Sequence, residues 1–494
     1  MTDRLDEIRT YDTGDLTRLG PDCPPITMTE LIRTLITFKQ KAPGPTGITT
    51  KHIKNLPRNM LLTLLNIFNH SLSAGYFPDK LKKSNIILIP KPNKSQYSVT
   101  GYRPISLLDI HGKLFDKILN RRLTRHLDLH NIHNPDQHGF RRNRGTHTAI
   151  SAFWETIAGC RARDERTDVV LRDVEKAFDR VWHTGLKYKI LQLGLHPCFT
   201  KTLTDFLTDR TAAIKLNTHL GPYFPLHSGV PQGACLSPTL YSLYTHDLPP
   251  PVPDSHHIIY ADDITQIISV PYKNVNVIAQ NTSHAIENIN RFEAKWKIQT
   301  SQSKFTLISH SRRKRQTVIA NDTEIDYSNH GKILGLNIKT FSNSNHPKIR
   351  AAIGYSALSK LQRFRALISP ILKIRLIKSI IIPTLVYPQI PQNTLPPTSM
   401  IKLQRVLNNS LRFATNTTYR DRISSRSLHQ LLKIDPINIT IHNQAKSLWN
   451  KIATNHPALY QTLHERMPNT QNQHYHFKSS RIKAEGPTPR PIFV

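Results

Sequence analysis

IIYADDITQII, residues 258–268, consists of two apolar β-branched runs around a pair of adjacent carboxylates. The pattern predicts two strands joined by a tight acidic turn at Asp262 and Asp263. Neighbouring carboxylates at such a turn splay apart and repel one another unless a cation lies between them. Taken alone, an Asp-rich hairpin turn in water reads the same way.

A third carboxylate changes the balance. In DVVLRDVEKAFDRVW, 168–182, the apolar run predicts a strand over 169–174 with Asp173 at its end. There its side chain and the Val174 carbonyl can meet Asp262 from a neighbouring strand. Three carboxylates of this kind suit two Mg²⁺ ions about 3.5–4 Å apart, the arrangement used for in-line phosphoryl transfer. Asp179 is a rival carboxylate, for which a helix cap or a salt bridge is the plainer reading. A further segment, SGVPQGACLSPTLYSLY at 228–244, combines Gly229, Pro231 and Gly233 with a helix start, letting a ligand approach backbone N–H groups closely.

Composition agrees with a polyanionic partner. The 494 residues carry 67 Lys and Arg against 34 Asp and Glu, a formal charge of +33, while 38% hydrophobic residues still allow a packed core. Nucleic acid is the commonest partner for such a surplus, and a purely metabolic small-molecule enzyme is disfavoured. Four scattered cysteines fit neither a zinc knuckle nor a disulfide framework and read as reduced intracellular thiols. The N-terminus lacks a secretory h-region, and no run is long and apolar enough for a membrane span. His256, His257 and the HNIH stretch at 130–133 bring no metal-ligand spacing and read as surface or nucleic-acid-facing side chains.

Around the two Asp segments the chain alternates elements. Leu61, Leu64, Leu65, Phe68 and Leu72 predict a helix over 59–73. IILIP (86–90) and GYRPISLL (101–108) predict two extended pieces joined by a basic loop. A helix from about Gly112 has Phe115, Ile118, Leu119, Leu123 and Leu127 on one face. Ile286, Ile289, Phe292 and Trp296 predict another, and KILGLNI (332–338) predicts a strand following the basic run SRRKR. An antiparallel sheet backed by helices, an α+β arrangement, is therefore expected at the centre. Residues 348–450 read as a basic helical lobe, and the polar tail from 469 as disordered.

Together these segments resemble the reverse transcriptase of a non-LTR, LINE-type, jockey-like retrotransposon. The resemblance runs over about 38–340 with a continuation to 450. It rests on KAPGPTGI (41–48), IPKP (89–92), YRPISLL (102–108), HGFRRNRGT (138–146), DVEKAFDRVWH (173–183), GVPQGACLSP (229–238), YADD (260–263) and ILGLNI (333–338). It implies a right-hand polymerase: a polar lead-in at 1–25, fingers at 26–165, a palm at 166–342 interleaved with fingers elements, a helical basic thumb at 343–450, and a C-terminal extension at 451–494 with a partly disordered tail.

The same resemblance implies an RNA-directed DNA polymerase extending a DNA 3′-OH primer on template RNA with dNTPs. Asp173, Asp262 and Asp263, with the Val174 carbonyl, would hold two Mg²⁺ ions, Mn²⁺ being a substitute. Lys304 would donate a proton to departing pyrophosphate. Lys91 and Arg103 would neutralise the triphosphate, Gln232 and Gly233 would meet the incoming nucleotide, and Phe178 would exclude the ribose 2′-OH. An RNA-dependent RNA polymerase would instead be expected to read GDD and to carry a polar selector at 178. Only some 25–40 residues precede the first motif, so an endonuclease nicking the target DNA is expected to be supplied separately, and no RNase H domain is expected after the thumb. The protein is expected inside the cell, nuclear during integration and not secreted. SRRKR, 311–315, reads equally as a nuclear address, a template contact or a solvated loop.

Two residues depart from the family pattern. Ala234 stands where Ser is usual, and Arg172 precedes the first catalytic Asp where an apolar residue is usual. By strand alternation Arg172 faces away from Asp173, into the helices. A buried, unmet guanidinium there would cost several kcal/mol. That is the motive for a second reading, a catalytically impaired copy that only binds RNA.

Overall fold

The computed structural model describes residues 23–39, 42–92, 94–301, 304–309, 317–339, 346–389, 394–465 and 479–493. The SRRKR run, nearly all of the N-terminal lead-in and the first part of the tail lie outside the described residues. The chain forms two compact units. One comprises residues up to Phe140, Val174–Pro249 and Ile289–Thr300. The other comprises Arg141–Asp173, Pro250–Asn288 and residues from Ser301 onward.

In the first unit the strands Ser84–Pro90 and Tyr102–Leu108 pair antiparallel, Ile89 opposite Arg103. Ser84–Pro90 also pairs in parallel with Thr211–Leu216. The helix Arg58–Ser73 buries Leu64, Leu65, Phe68 and Leu72, four of the five positions its periodicity selects. Asp109 opens the helix Ile110–Leu129 by accepting from the His111 N–H at 2.9 Å, a side-chain cap on an otherwise orphaned donor. Its stripe Phe115, Ile118, Leu119, Leu123 and Leu127 is almost wholly buried. Phe68 and Phe77 stack on Phe115 at 4.9 and 5.3 Å, forming the core of this unit.

The second unit contains a four-stranded antiparallel sheet in the order Ser255–Tyr260, Asp263–Pro271, Glu165–Asp173, Thr306–Ser309. Alternation gives its strand Glu165–Asp173 two apolar faces. Val169 and Leu171 pack with Phe153 and Ile157 of the helix Thr146–Ala162 and with Trp449. Val170 packs on the other face with Ile286 and Val318. A strand covered on both sides reads as a continuous apolar run, as VVL does. Truncating Phe153 at this centre is expected to cost about 3–5 kcal/mol. The helices His346–Gln362, Pro397–Thr415 and Ile437–Asn455 enclose a separate apolar cluster around Leu403, Leu407, Leu411 and Leu385.

Three expectations are corrected. KILGLNI is not one strand: His330–Ile333 and Leu336–Lys339 form a separate hairpin, because Leu334 and Gly335 both adopt positive φ (46° and 85°) and reverse the chain. His257 is not a surface residue. It is buried beside Gln266, and burial first, then the Arg172 charge, pushes its pKa down to about 4, so it is neutral. The described end of the tail is ordered: Ser480–Glu485 is helical and docks on Glu155.

Candidate active site

The acidic hairpin and the strand that ends at Asp173 share one register. Tyr260 pairs with Asp263, leaving Ala261 and Asp262 as a two-residue loop in which Ala261 has φ +58°. Such loops match the twist of the flanking strands but strain an L-residue by about 1–2 kcal/mol. Across the next ladder Asp173 is the Cα partner of Asp263. Three aspartates are thus brought to one end of the sheet by pairing alone.

Their charges are not mutually satisfied. Asp263 is pushed up to about 7, first by burial, then by the charges of Asp262 and Asp173 and a hydrogen bond with Asp173, with Lys304 acting in the opposite sense. The Lys304 ammonium, more than half exposed, donates to Asp173 Oδ2. Among the described residues no three His, Cys, Asp or Glu side chains converge as a metal-binding group. Like charges repel, and Lys304 stands at Asp173. The donor set fits a hard divalent cation: its side-chain donors are all carboxylate oxygens, and Asp263 bears a repulsion that such an ion would relieve.

Arg172 is accommodated. Its Nη2 donates to the Ile286 carbonyl at 2.8 Å and its guanidinium lies 5.3 Å from the Phe305 ring centre. Beside it Gln266 donates to the Ala285 carbonyl at 2.9 Å. Guanidinium is weakly hydrated and stacks on aromatic faces, so it tolerates this interior better than an ammonium would. The motive for the impaired-copy reading is thereby removed.

The first unit holds the remaining predicted residues. Phe178 is stacked on Tyr241 at 5.2 Å and meets Phe140 edge-on at 6.1 Å, so its ring is fixed. The Val230 N–H donates to the Phe178 carbonyl at 2.7 Å, and the Gly229 N–H to the Val181 carbonyl at 2.8 Å. Gln232 Nε2 donates to Asp179 Oδ1 at 2.8 Å, and the Gln232 carbonyl accepts from the Ser106 N–H at 2.8 Å. Gly233, at φ +142°, leaves no room for a side chain, since a Cβ would stand 2.5 Å from the Ser106 carbonyl oxygen. Lys91 donates to the Thr100 carbonyl at 3.0 Å, and its charge reaches Asp179. Arg103 is exposed on the strand beside it. Val174, expected to lend its carbonyl, forms a bridge with Thr300 in this unit.

Sequence reasoning missed one residue that positions this loop. Asp116, wholly buried, accepts from the Cys235 and Leu236 N–H groups at 2.5 and 2.8 Å and so caps the helix Leu236–Tyr244 that follows the Gly-Pro loop. Burial foremost raises its pKa to about 6, against those two bonds and the charges of Lys113 and Arg210. The only sequence signal was an acidic residue on the apolar face of its helix, between Phe115 and Ile118.

Residues 89–338, just over half of the chain, match the family model of the reverse transcriptase (RNA-dependent DNA polymerase). Among curated relatives, the RNA-directed DNA polymerase from mobile element jockey of Drosophila melanogaster is 27% identical over 429 residues, covering 84% of this chain and 46% of the relative. The probable RNA-directed DNA polymerase from transposon BS of the same organism is 32% identical over 255 residues, covering 50% and 28%. A solved structure, the apo telomerase of Candida tropicalis truncated from its C-terminal domain, is similar at 14% identity and TM-score 0.35, over 56% of this chain and 59% of that one. The chain belongs to the reverse transcriptase family, and its relatives are of the non-LTR, jockey-like kind. The α+β class read from the sequence holds. Enzymes of this family use divalent metal ions. The chain spans less than half the length of the curated relatives named above. Among the described residues no helix is long and apolar enough to cross a membrane.

Proposed function

We propose that this chain is an RNA-directed DNA polymerase of a retrotransposon, extending a DNA 3′-OH on template RNA with dNTPs. The observation that carries the reading is Asp173 opposite Asp263 in register beside the Asp262 turn, with Asp263 raised to about 7 by burial and its acidic neighbours. Asp173, Asp262, Asp263 and the Val174 carbonyl are the groups that would hold divalent metal. Two Mg²⁺ ions, replaceable by Mn²⁺, would supply activation of the attacking hydroxyl and charge stabilisation of the leaving pyrophosphate.

The chain's own groups contribute the rest. Lys304 holds a proton next to the carboxylates, suited to a departing phosphate oxygen. Lys91 and Arg103 bring cationic charge for a triphosphate. Phe178, wedged between Tyr241 and Phe140, cannot turn aside for a 2′-hydroxyl and so favours dNTP over rNTP. The charge of +33 supports binding of a template–primer. Nicked target DNA would provide the 3′-OH, with the site of action in the nucleus during integration.

Single-nucleotide incorporation on an RNA template tests the selection step. The wild type should use dNTP at least about 100-fold better than rNTP, and Phe178→Val should narrow that ratio at least about tenfold, since a clash removed is worth about 1.4 kcal/mol or more. Equal use of the two nucleotides by the wild type would overturn the reading.

A further inference from the structure

We infer that Asp179 is a positioning residue: it locks the Gln232 amide in one orientation, so that the loop offers Gln232 Oε1, a hydrogen-bond acceptor, to the incoming nucleotide. The inference rests on the functional reading above and deepens it. A carboxylate only accepts hydrogen bonds, so the group facing Asp179 Oδ1 at 2.8 Å must be the Gln232 NH₂. Turning the amide over would set oxygen against oxygen.

Everything else about the two residues is already fixed by backbone. The Asp179 N–H donates to the Lys176 carbonyl at 2.9 Å, and its own carbonyl accepts from Ser228 Oγ at 3.3 Å. Gly229, at φ +86°, lies so close that a Cβ there would stand 2.8 Å from the Asp179 carbonyl oxygen. Gln232 is anchored through its carbonyl to Ser106. With both backbones tied, the freedom left in the loop is the amide's own rotation, and Asp179 sets it. Burial raises the Asp179 pKa, while the Gln232 amide, Lys176 and Lys91 oppose that rise.

The test exchanges donor and acceptor without changing shape. Gln232→Glu places two carboxylates face to face, so its KM for dNTP should rise about tenfold or more while kcat changes little, a hydrogen bond to a charged group being worth about 1.5–3 kcal/mol. Asp179→Asn alone should raise the KM for dNTP severalfold, because an amide at 179 can donate as well as accept and so no longer fixes which way the Gln232 amide turns. The double variant Gln232→Glu with Asp179→Asn should recover most of the lost affinity, since the new amide donates to the new carboxylate and the second carboxylate oxygen still faces the nucleotide. A purely structural role for Asp179 gives no such recovery. An unchanged KM in Gln232→Glu, or a double variant no better than Gln232→Glu alone, overturns the inference while leaving the polymerase reading intact. A wild type that extends no primer overturns both.

Discussion

The Gly-Pro loop of the first unit and the acidic hairpin of the second are built on opposite principles. Around Gln232 the polar groups are met from within the protein: Asp179 takes the side-chain amide, Ser106 takes the carbonyl, and Asp116 takes two N–H groups of the helix that follows. Around Asp263 like charges crowd together: Asp262 and Asp173 both raise its pKa, and the opposing charge there is an exposed lysine. Under the proposed function, a loop that meets a nucleotide the same way each cycle gains from preorganisation. A surface that must take up cations gains from a repulsion that only a cation relieves.

The sharpest way to break this contrast is metal removal. Chelation should reduce extension by more than about 1,000-fold while leaving the folded protein intact, because the hydrogen bonds of the first unit need no metal. Unfolding on chelation would show that the hairpin is a structural site instead. Next in size, Asp116→Ala should cost about 2–4 kcal/mol in a denaturant titration, as two buried N–H donors lose their acceptor; a loss under about 0.5 kcal/mol would show that the loop does not depend on this cap.

A smaller effect concerns pH. The folded pKa of Asp263, about 7, is above the unfolded value near 4. The folded state therefore holds the extra proton between those limits, and stability falls as pH rises from about 4 to 7. Asp116 and Glu155 slope the same way, so the comparison is with Asp263→Asn, which should flatten the curve by on the order of 1 kcal/mol. Adding divalent metal at pH 8 should raise the Tm of the wild type more than that of the variant. Identical curves would remove the claim of unresolved charge. Least of all should Arg172→Leu matter, because that guanidinium is already met by the Ile286 carbonyl and Phe305; activity should stay within about threefold and stability within about 1 kcal/mol. A large gain in activity would restore the impaired-copy reading.

Much of this was legible in the residues because strands impose a period of two and pairing imposes register. VVLRD and IIYADDITQII announce buried strands, and their ends carry the aspartates that pairing brings together. Segments whose conformation depends on a partner were not legible. Arg172 reads as a buried charge in isolation, and the Ile286 carbonyl, 114 residues away, together with the Phe305 ring makes it acceptable. Glu155 lies mid-helix and looks like an error of patterning until Ser479 Oγ and the Ser480 N–H meet it at 2.6 and 2.8 Å. Lys189 similarly pairs with Asp247 and lies 3.6 Å from the Trp296 ring centre. The Leu334–Gly335 reversal was hidden because leucine seldom adopts positive φ.

The most direct test of the account is primer extension on an RNA template with dNTPs and Mg²⁺, comparing wild type with Asp262→Asn. The account predicts extension by the wild type and its loss by more than about 1,000-fold in the variant, with the same thermal unfolding and the same salt-dependent binding of template–primer. Extension that survives Asp262→Asn would show that the acidic hairpin is not the polymerising centre.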